Sequence, residues 1–208
     1  MSNFGEKGIV YQDFGNVLIP LDHPETNPKK KNYMKIEHAC INFSLFKDFI
    51  NSDFPIVLGG DHSVTICFIR TLSSKGKTGL IYFDAHGDFN TPATTPSGNI
   101  HGMVVSEITH GDQGTVLRLI CENCSEGNES NVVLIGTRDL DKEEAVALEK
   151  SNVTVYDMKK IKELGIEKVM KKALEIASKG TQQIHLSFDL DVADPSITPG
   201  VSTPVPRG

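Results

Sequence analysis

No stretch of this chain approaches the ~18 consecutive apolar residues that a bilayer span requires, so no membrane is expected among its partners. Positive charge is also short. Twenty-one Lys and Arg face 27 Asp and Glu, giving a formal charge of −6 and a pI near 5.6. Nucleic-acid binding needs a basic surface, so that class of partner is set aside. The opening Met1-Ser2-Asn3-Phe4-Gly5-Glu6 lacks the basic and apolar regions of a secretory signal, which makes the cytoplasm the expected location. Cysteine is sparse: Cys40, Cys67, Cys121 and Cys124 are all there are. Cys40 and Cys67 stand in apolar, helical-looking segments and are expected to pack as small hydrophobes. Cys121 and Cys124 have CxxC spacing, but no second pair completes a zinc site, and they read as reduced thiols near a polar loop.

What remains is an ordinary globular composition, 38% hydrophobic and 23% charged over 208 residues, which suits one domain spanning residues 1–208. Weakly strand-like runs at 8–11 and 16–20 precede a polar segment from Leu21 to Asn32. The Lys29-Lys30-Lys31 run within it reads as part of a solvated loop. Apolar spacing predicts helices over 36–50, 63–72, 142–150 and 158–179. Short apolar runs at 55–58, 79–83, 132–135, 153–156 and 184–188 read as buried strands. Continuous apolar strands alternating with amphipathic helices imply an α/β fold with a parallel sheet covered on both faces.

The chain is organised around Thr78-Gly79-Leu80-Ile81-Tyr82-Phe83-Asp84-Ala85-His86-Gly87-Asp88, where an apolar strand runs straight into two carboxylates and an imidazole. Extended backbone would place Asp84, His86 and Asp88 on one face, because strand side chains alternate. Other strands end similarly. Gly59-Gly60-Asp61-His62 follows 55–58, Thr137-Arg138-Asp139-Leu140-Asp141 follows 132–135, and Asp189-Leu190-Asp191 follows 184–188. Open parallel sheets bind ligands beyond the carboxyl ends of their strands.

Each motif has a local explanation: helix capping near His62 and Ser63, a capping box at Asp141 and Glu144, turn formation at Asp189 and Asp191. None covers the whole set. His62, Asp84, His86, Asp88, Asp189 and Asp191 are too many ligands, and too rich in oxygen, for one structural zinc. They suit two divalent ions, with manganese favoured and iron, cobalt or zinc as alternatives. Four carboxylates, two dications and a shared hydroxide sum to about −1, a balance that favours a cationic guanidinium over an anionic phosphoester.

GGDHS (59–63), DAHGD (84–88), SGNIHGM (97–103) and SFDLDVADP (187–195) together resemble the ureohydrolase family, which contains arginases, agmatinases and formimidoylglutamases. Asn90-Thr91-Pro92, Thr94-Thr95, Ser97-Gly98-Asn99 and Arg138-Asp139-Leu140-Asp141 bring it nearest to the arginases. The resemblance implies a three-layer, doubly wound parallel sheet of the arginase/deacetylase type and two Mn2+ per subunit. His62 and Asp88 would hold one ion and His86 and Asp191 the other, with Asp84 and Asp189 bridging. A hydroxide shared by the ions and oriented by Asp88 would attack the guanidinium carbon of L-arginine, giving L-ornithine and urea, and His101 would shuttle the proton to the leaving amine. Asn90, Thr95 and Ser97 would recognise the α-carboxylate, Asp141 and Glu144 the α-ammonium, and Thr203 the guanidinium end, with Asn99 also among the substrate-binding residues. A small cationic guanidino substrate and a homo-oligomer are the implied partners.

Set beside the family, the chain starts without the glycine-rich first strand and stops at Ser202–Gly208, so an incomplete sheet with one bare edge is expected. An agmatinase or formimidoylglutamase is the alternative within the family. A metal-binding but catalytically deficient variant, and a deacetylase on the shared architecture, are the alternatives outside it.

Overall fold

The computed structural model describes residues 8, 10–19, 26–52, 54–72, 76–110 and 128–208. Four strands form one all-parallel sheet in the order β3-β2-β1-β4: β1 (Thr78–Phe83), β2 (Val132–Ile135), β3 (Thr154–Tyr156) and β4 (Gln183–Phe188). β1 lies centrally because it is apolar on both faces, with Leu80, Ile81 and Tyr82 all buried. Its register sets Tyr82 opposite Ser187 and Leu134, and Phe83 opposite Phe188 and Ile135. The strands therefore end level, and the loops that follow them share one edge.

Helices cover both faces, as the alternating pattern implies. On one side α1 (Tyr33–Ser44), α3 (Val64–Leu72) and α4 (Val104–Thr109) pack Cys40, Phe43, Ile66, Phe68 and Val105 against Leu80, Tyr82 and Leu134. On the other, α7 (Ile166–Ala177) lays Val169, Ala173 and Ala177 on Ile81, Val133 and Ile135. The small residues let α7 lie close to the sheet, and Gly79 faces the Ala177 carbonyl where a Cβ would leave only 2.0 Å. α2 (Lys47–Ser52), α5 (Lys142–Lys150) and α6 (Met158–Leu164) are the other α-helices among the described residues.

Several expectations are corrected. The helix expected over 36–50 is two, interrupted at Leu45–Phe46, and that over 158–179 breaks at Gly165, where φ is +81°. Residues 10–19 form no regular element. The run 55–58 is not a strand either. Phe54, Ile56 and Leu58 are 89%, 63% and 83% exposed, and only Val57 of 55–58 packs on the core. An apolar tetrapeptide becomes a strand only with a ladder to join, and this one has none among the described residues. β4 is likewise less buried than its apolar run suggests, because as an edge strand it leaves Ile184, Leu186 and Phe188 open.

Cys40 and Cys67 are buried as expected but bonded to one another, since α1 and α3 bring their Cα atoms within 4.4 Å. Cys121 and Cys124 lie outside the described residues. Of the expected loop 21–32, residues 26–32 are described, and Lys29 and Lys31 are engaged with the protein, as set out below.

Candidate metal centre and pocket

Asp84 is the hinge of the site. It follows β1 directly, its amide still bonded to the Ile135 carbonyl, so the sheet fixes its position. One carboxylate oxygen, Oδ2, lies 2.7 Å from His62 Nδ1. The other, Oδ1, lies 3.1 Å from His86 Nδ1 and accepts the His86 amide at 2.7 Å. Two clusters thus meet in one residue: His62, Asp84 and Asp189, then Asp84, His86 and Asp191. Asp189 Oδ2 is 3.3 Å from His62 Nδ1, and Asp191 Oδ2 is 3.2 Å from His86 Nδ1.

The three groups of the DAHGD motif do not converge by strand alternation. β1 stops at Phe83, and the backbone turns so that Asp88 adopts φ +48°. Asp88 belongs to neither cluster, but its Oδ2 stands 3.7 Å from His62 Nδ1. Of the two carboxylates expected to bridge, Asp84 alone is common to both clusters.

The electrostatics describe a cluster short of positive charge. Burial alone would raise the Asp84 carboxyl, but hydrogen bonds with both imidazoles outweigh it and hold the group below the usual carboxylate range. Hydrogen bonds to Asp191 and Asp84 push the His86 imidazole up to about 11. Asp88 is held well up by burial and by the charge of Asp84, and burial raises Asp189 too. Protons thus take up part of the negative charge that a divalent ion would neutralise. Two imidazoles among clustered carboxylate oxygens suit hard or borderline dications, so the residues present fit a pair of such ions.

Four residues that sequence reasoning missed support this set. Tyr82 stacks flat on His62, with ring centroids 4.1 Å apart and planes 10° from parallel, and its hydroxyl donates to Asp88 Oδ2 at 2.6 Å. Ser187 Oγ sits 2.8 Å from His62 Nε2 and 2.5 Å from Thr65 Oγ1, fixing the ring from behind. Asp139 Oδ2 lies 4.0 Å from His86 Nε2. Arg138 closes the edge. Its Nε donates to the Pro206 carbonyl, Nη1 to those of Gly136 and Val192, and Nη2 to those of Asp191 and Val205, over 2.7–3.2 Å. A polar side chain inside a buried strand, as at Tyr82 and Ser187, was the available signal; Arg138 and Asp139 stood in a motif after a strand end, but nothing in it indicated these contacts.

Above the centre lies a pocket. His86, Asp88, His101, Asn90, Thr95, Ser97, Asp141, Glu144 and Thr203 are among the residues that line it. Asn99 is not in the lining; its amide donates to Ser97 Oγ at 3.1 Å. Asp141 is the N-cap of α5 and Glu144 folds back onto its amide at 3.2 Å, so the capping-box reading holds for residues that also face the pocket. Glu144 further accepts the Phe89 amide at 2.8 Å, and Asn90 Nδ2 donates to Asp141 at 2.9 Å. Thr203 Oγ1 donates to Asp191 Oδ2 at 3.0 Å, linking wall to centre.

A parallel α/β sheet whose carboxyl edge carries two ligand clusters joined by one aspartate, under a polar pocket, defines an α/β protein with a candidate two-metal centre. The chain belongs to the Arginase family, whose sequence profile matches residues 3–208. It is 41% identical over 216 residues to an arginase of Staphylococcus aureus strain COL, covering 100% of this chain and 70% of that one. The solved arginase of Bacillus caldovelox matches with a TM-score of 0.89 at 33% identity, over 100% of this chain and 71% of that structure. An Entamoeba histolytica arginase solved in complex with L-ornithine matches with a TM-score of 0.77 at 28% identity, over 91% of this chain and 66% of that structure. The family is one of metalloenzymes, and membership makes this chain a hydrolase acting on guanidino compounds. Among the described residues no helix is long and apolar enough to cross a membrane.

Proposed function

We propose that this chain is an arginase, hydrolysing L-arginine to L-ornithine and urea with two Mn2+ ions. The observation that carries the reading is Asp84, which offers one oxygen to each cluster beside a pocket lined by Asn90, Thr95, Ser97, Asp141 and Glu144. His62, Asp84, Asp88 and Asp189 would hold one ion, and Asp84, His86 and Asp191 the other. When bound, such a pair supplies Lewis acidity and an acidified water near neutral pH.

The chain's own residues would do the rest. Asp88, steadied by the Tyr82 hydroxyl, lines the pocket, where a carboxylate could take and orient a proton. His101 stands on the same pocket, suitably typed to hand a proton to a leaving amine. Hydroxyl and amide donors at Asn90, Thr95 and Ser97 suit an α-carboxylate, and the acids Asp141 and Glu144 suit an α-ammonium. A pocket built to bond both groups disfavours agmatine, which lacks the carboxylate. The Entamoeba histolytica relative was solved in complex with L-ornithine, the product proposed here.

The test is urea release from L-arginine, agmatine and N-formimidoyl-L-glutamate by the manganese-loaded chain. Turnover of arginine well above the other two is expected. Preference for agmatine would reassign the substrate, and metal binding without turnover of any of them would overturn the catalytic reading.

A further inference from the structure

The pocket wall at Thr95–Ser97 is held from outside by a segment far away in sequence. Residues 26–32 fold into a small turn, with Asn27 accepting the Lys29 amide on its side chain at 2.9 Å and the Lys30 amide on its carbonyl at 3.0 Å. From this turn Lys29 Nζ donates to the Thr95 carbonyl at 2.5 Å, and Lys31 Nζ to the Ser97 carbonyl at 2.6 Å. The Lys31 amide donates to the Gly98 carbonyl at 2.8 Å, and Lys31 pairs with Asn99 as an isolated parallel bridge. Backbone meets backbone here. A Cβ on Gly98, at φ +75°, would stand only 1.9 Å from the Pro28 carbonyl oxygen, so glycine is required for the approach.

The three lysines are not equivalent. Lys29 and Lys31, two apart along the chain, both reach the wall, while the ammonium of Lys30 lies 5.7 Å from the centre of the Tyr33 ring. A lysine run kept only for solvation has no reason to place alternate ammonium groups on alternate carbonyls of one loop. Each ammonium occupies a carbonyl oxygen of a residue that lines the pocket. Carbonyl oxygens would repel a carboxylate, and an ammonium bonded to each one offsets that repulsion. Two fixed positive charges behind the loop act in the same direction, more strongly at low salt because both sit near the surface.

We propose that Lys29 and Lys31 are positioning residues for substrate specificity, which hold the Thr95–Ser97 loop in the form that accepts the α-carboxylate of an amino-acid substrate. This rests on the arginase reading for the ligand, though the clamp on the loop stands without it.

The experiment uses the manganese-loaded 208-residue chain with the K29M/K31M double variant, K30M as the neighbouring-lysine control, and K29R/K31R as the conservative variant. Amide hydrogen exchange over 90–99 should accelerate in K29M/K31M, stay unchanged in K30M, and leave β1 and β2 untouched. Calorimetry should show L-ornithine binding weakened about tenfold in K29M/K31M, the equivalent of roughly one lost charge-assisted hydrogen bond. Binding of putrescine, which lacks the carboxylate, should hold. For arginine turnover, KM should rise while kcat stays level, and K29R/K31R should recover most of the loss. Unchanged exchange over 90–99, or equal loss for ornithine and putrescine, would overturn the proposal. If the unsubstituted chain bound ornithine no better than putrescine, the arginine reading and the carboxylate role would fall, while exchange would still decide whether the lysines hold the loop.

Discussion

Replacing Arg138 by methionine should loosen the edge of the site without touching any candidate ligand. The guanidinium contacts the carbonyls of Gly136, Asp191, Val192, Val205 and Pro206. These come from the β2 loop, from the turn that carries Asp191, and from the segment that carries Thr203. A hydrogen bond involving a charged group contributes about 1.5–3 kcal/mol. The side chain is partly exposed and its donors are shared, so water recovers much of that sum, and a net loss of about 3 kcal/mol is a reasonable expectation for the set. Against the roughly 5–15 kcal/mol of a typical domain, R138M should still fold. Its turns would be freer, and Asp191 would lose part of the preorganisation that metal binding needs. Removing such outer support costs roughly 10–100-fold in metal affinity. R138K should recover less than half, because an ammonium is a point donor without the planar fork. The assays are urea denaturation of the metal-free chain and calorimetric Mn2+ titration. If R138M kept both the wild-type urea midpoint and the wild-type metal affinity, the supporting role given to this residue would be refuted.

Two further outcomes follow from the centre itself. Y82F keeps the ring stacked on His62 but removes the one donor to Asp88 from a buried hydroxyl, so Mn2+ affinity should fall about tenfold with little change in stability, read by the same titration. In the metal-free chain His86 is raised to about 11 from 6.5. A base raised on folding contributes stability fully present below its unfolded pKa, and that stability is lost as pH rises from 6.5 through 11. The urea midpoint of the metal-free chain should therefore decline over that window, and in H86A this part of the decline should vanish. Mn2+ binding at pH 8 should release protons, measurable by calorimetry in buffers of different ionisation enthalpy.

Much of this architecture was legible because the signals were local. β1, β2, β3 and β4 are dense apolar runs, and the 142–150 helix carries its own N-cap and capping box. The motif spacing put acids and imidazoles after strand ends, where a parallel sheet gathers them. What could not be read depends on partners distant in sequence. The run 55–58 has strand composition, yet composition does not supply a ladder. Cys40 and Cys67 are 27 residues apart and meet only because two helices cross. Lys29 finds its carbonyl 66 residues on, and Arg138 reaches carbonyls up to 68 residues away. Asp84, His86 and Asp88 were expected on one face by alternation along a strand, whereas the backbone turns after β1 and Asp88, at positive φ, lies outside both clusters.

The division of Asp84 between two imidazoles has a consequence for how the centre fills. Its carboxylate is planar and rigid, and its strand-end backbone is fixed by the sheet, so the orientation that satisfies His62 through Oδ2 also sets Oδ1 toward His86. An ion captured on either side would settle that plane for the other side. By linkage, whatever the first ion contributes to ordering Asp84 the second no longer has to supply, and the reverse holds equally. To that extent the two sides would load as a coupled pair, in competition with the repulsion between neighbouring dications. A single carboxylate becomes the element through which each half of the centre senses whether the other is occupied.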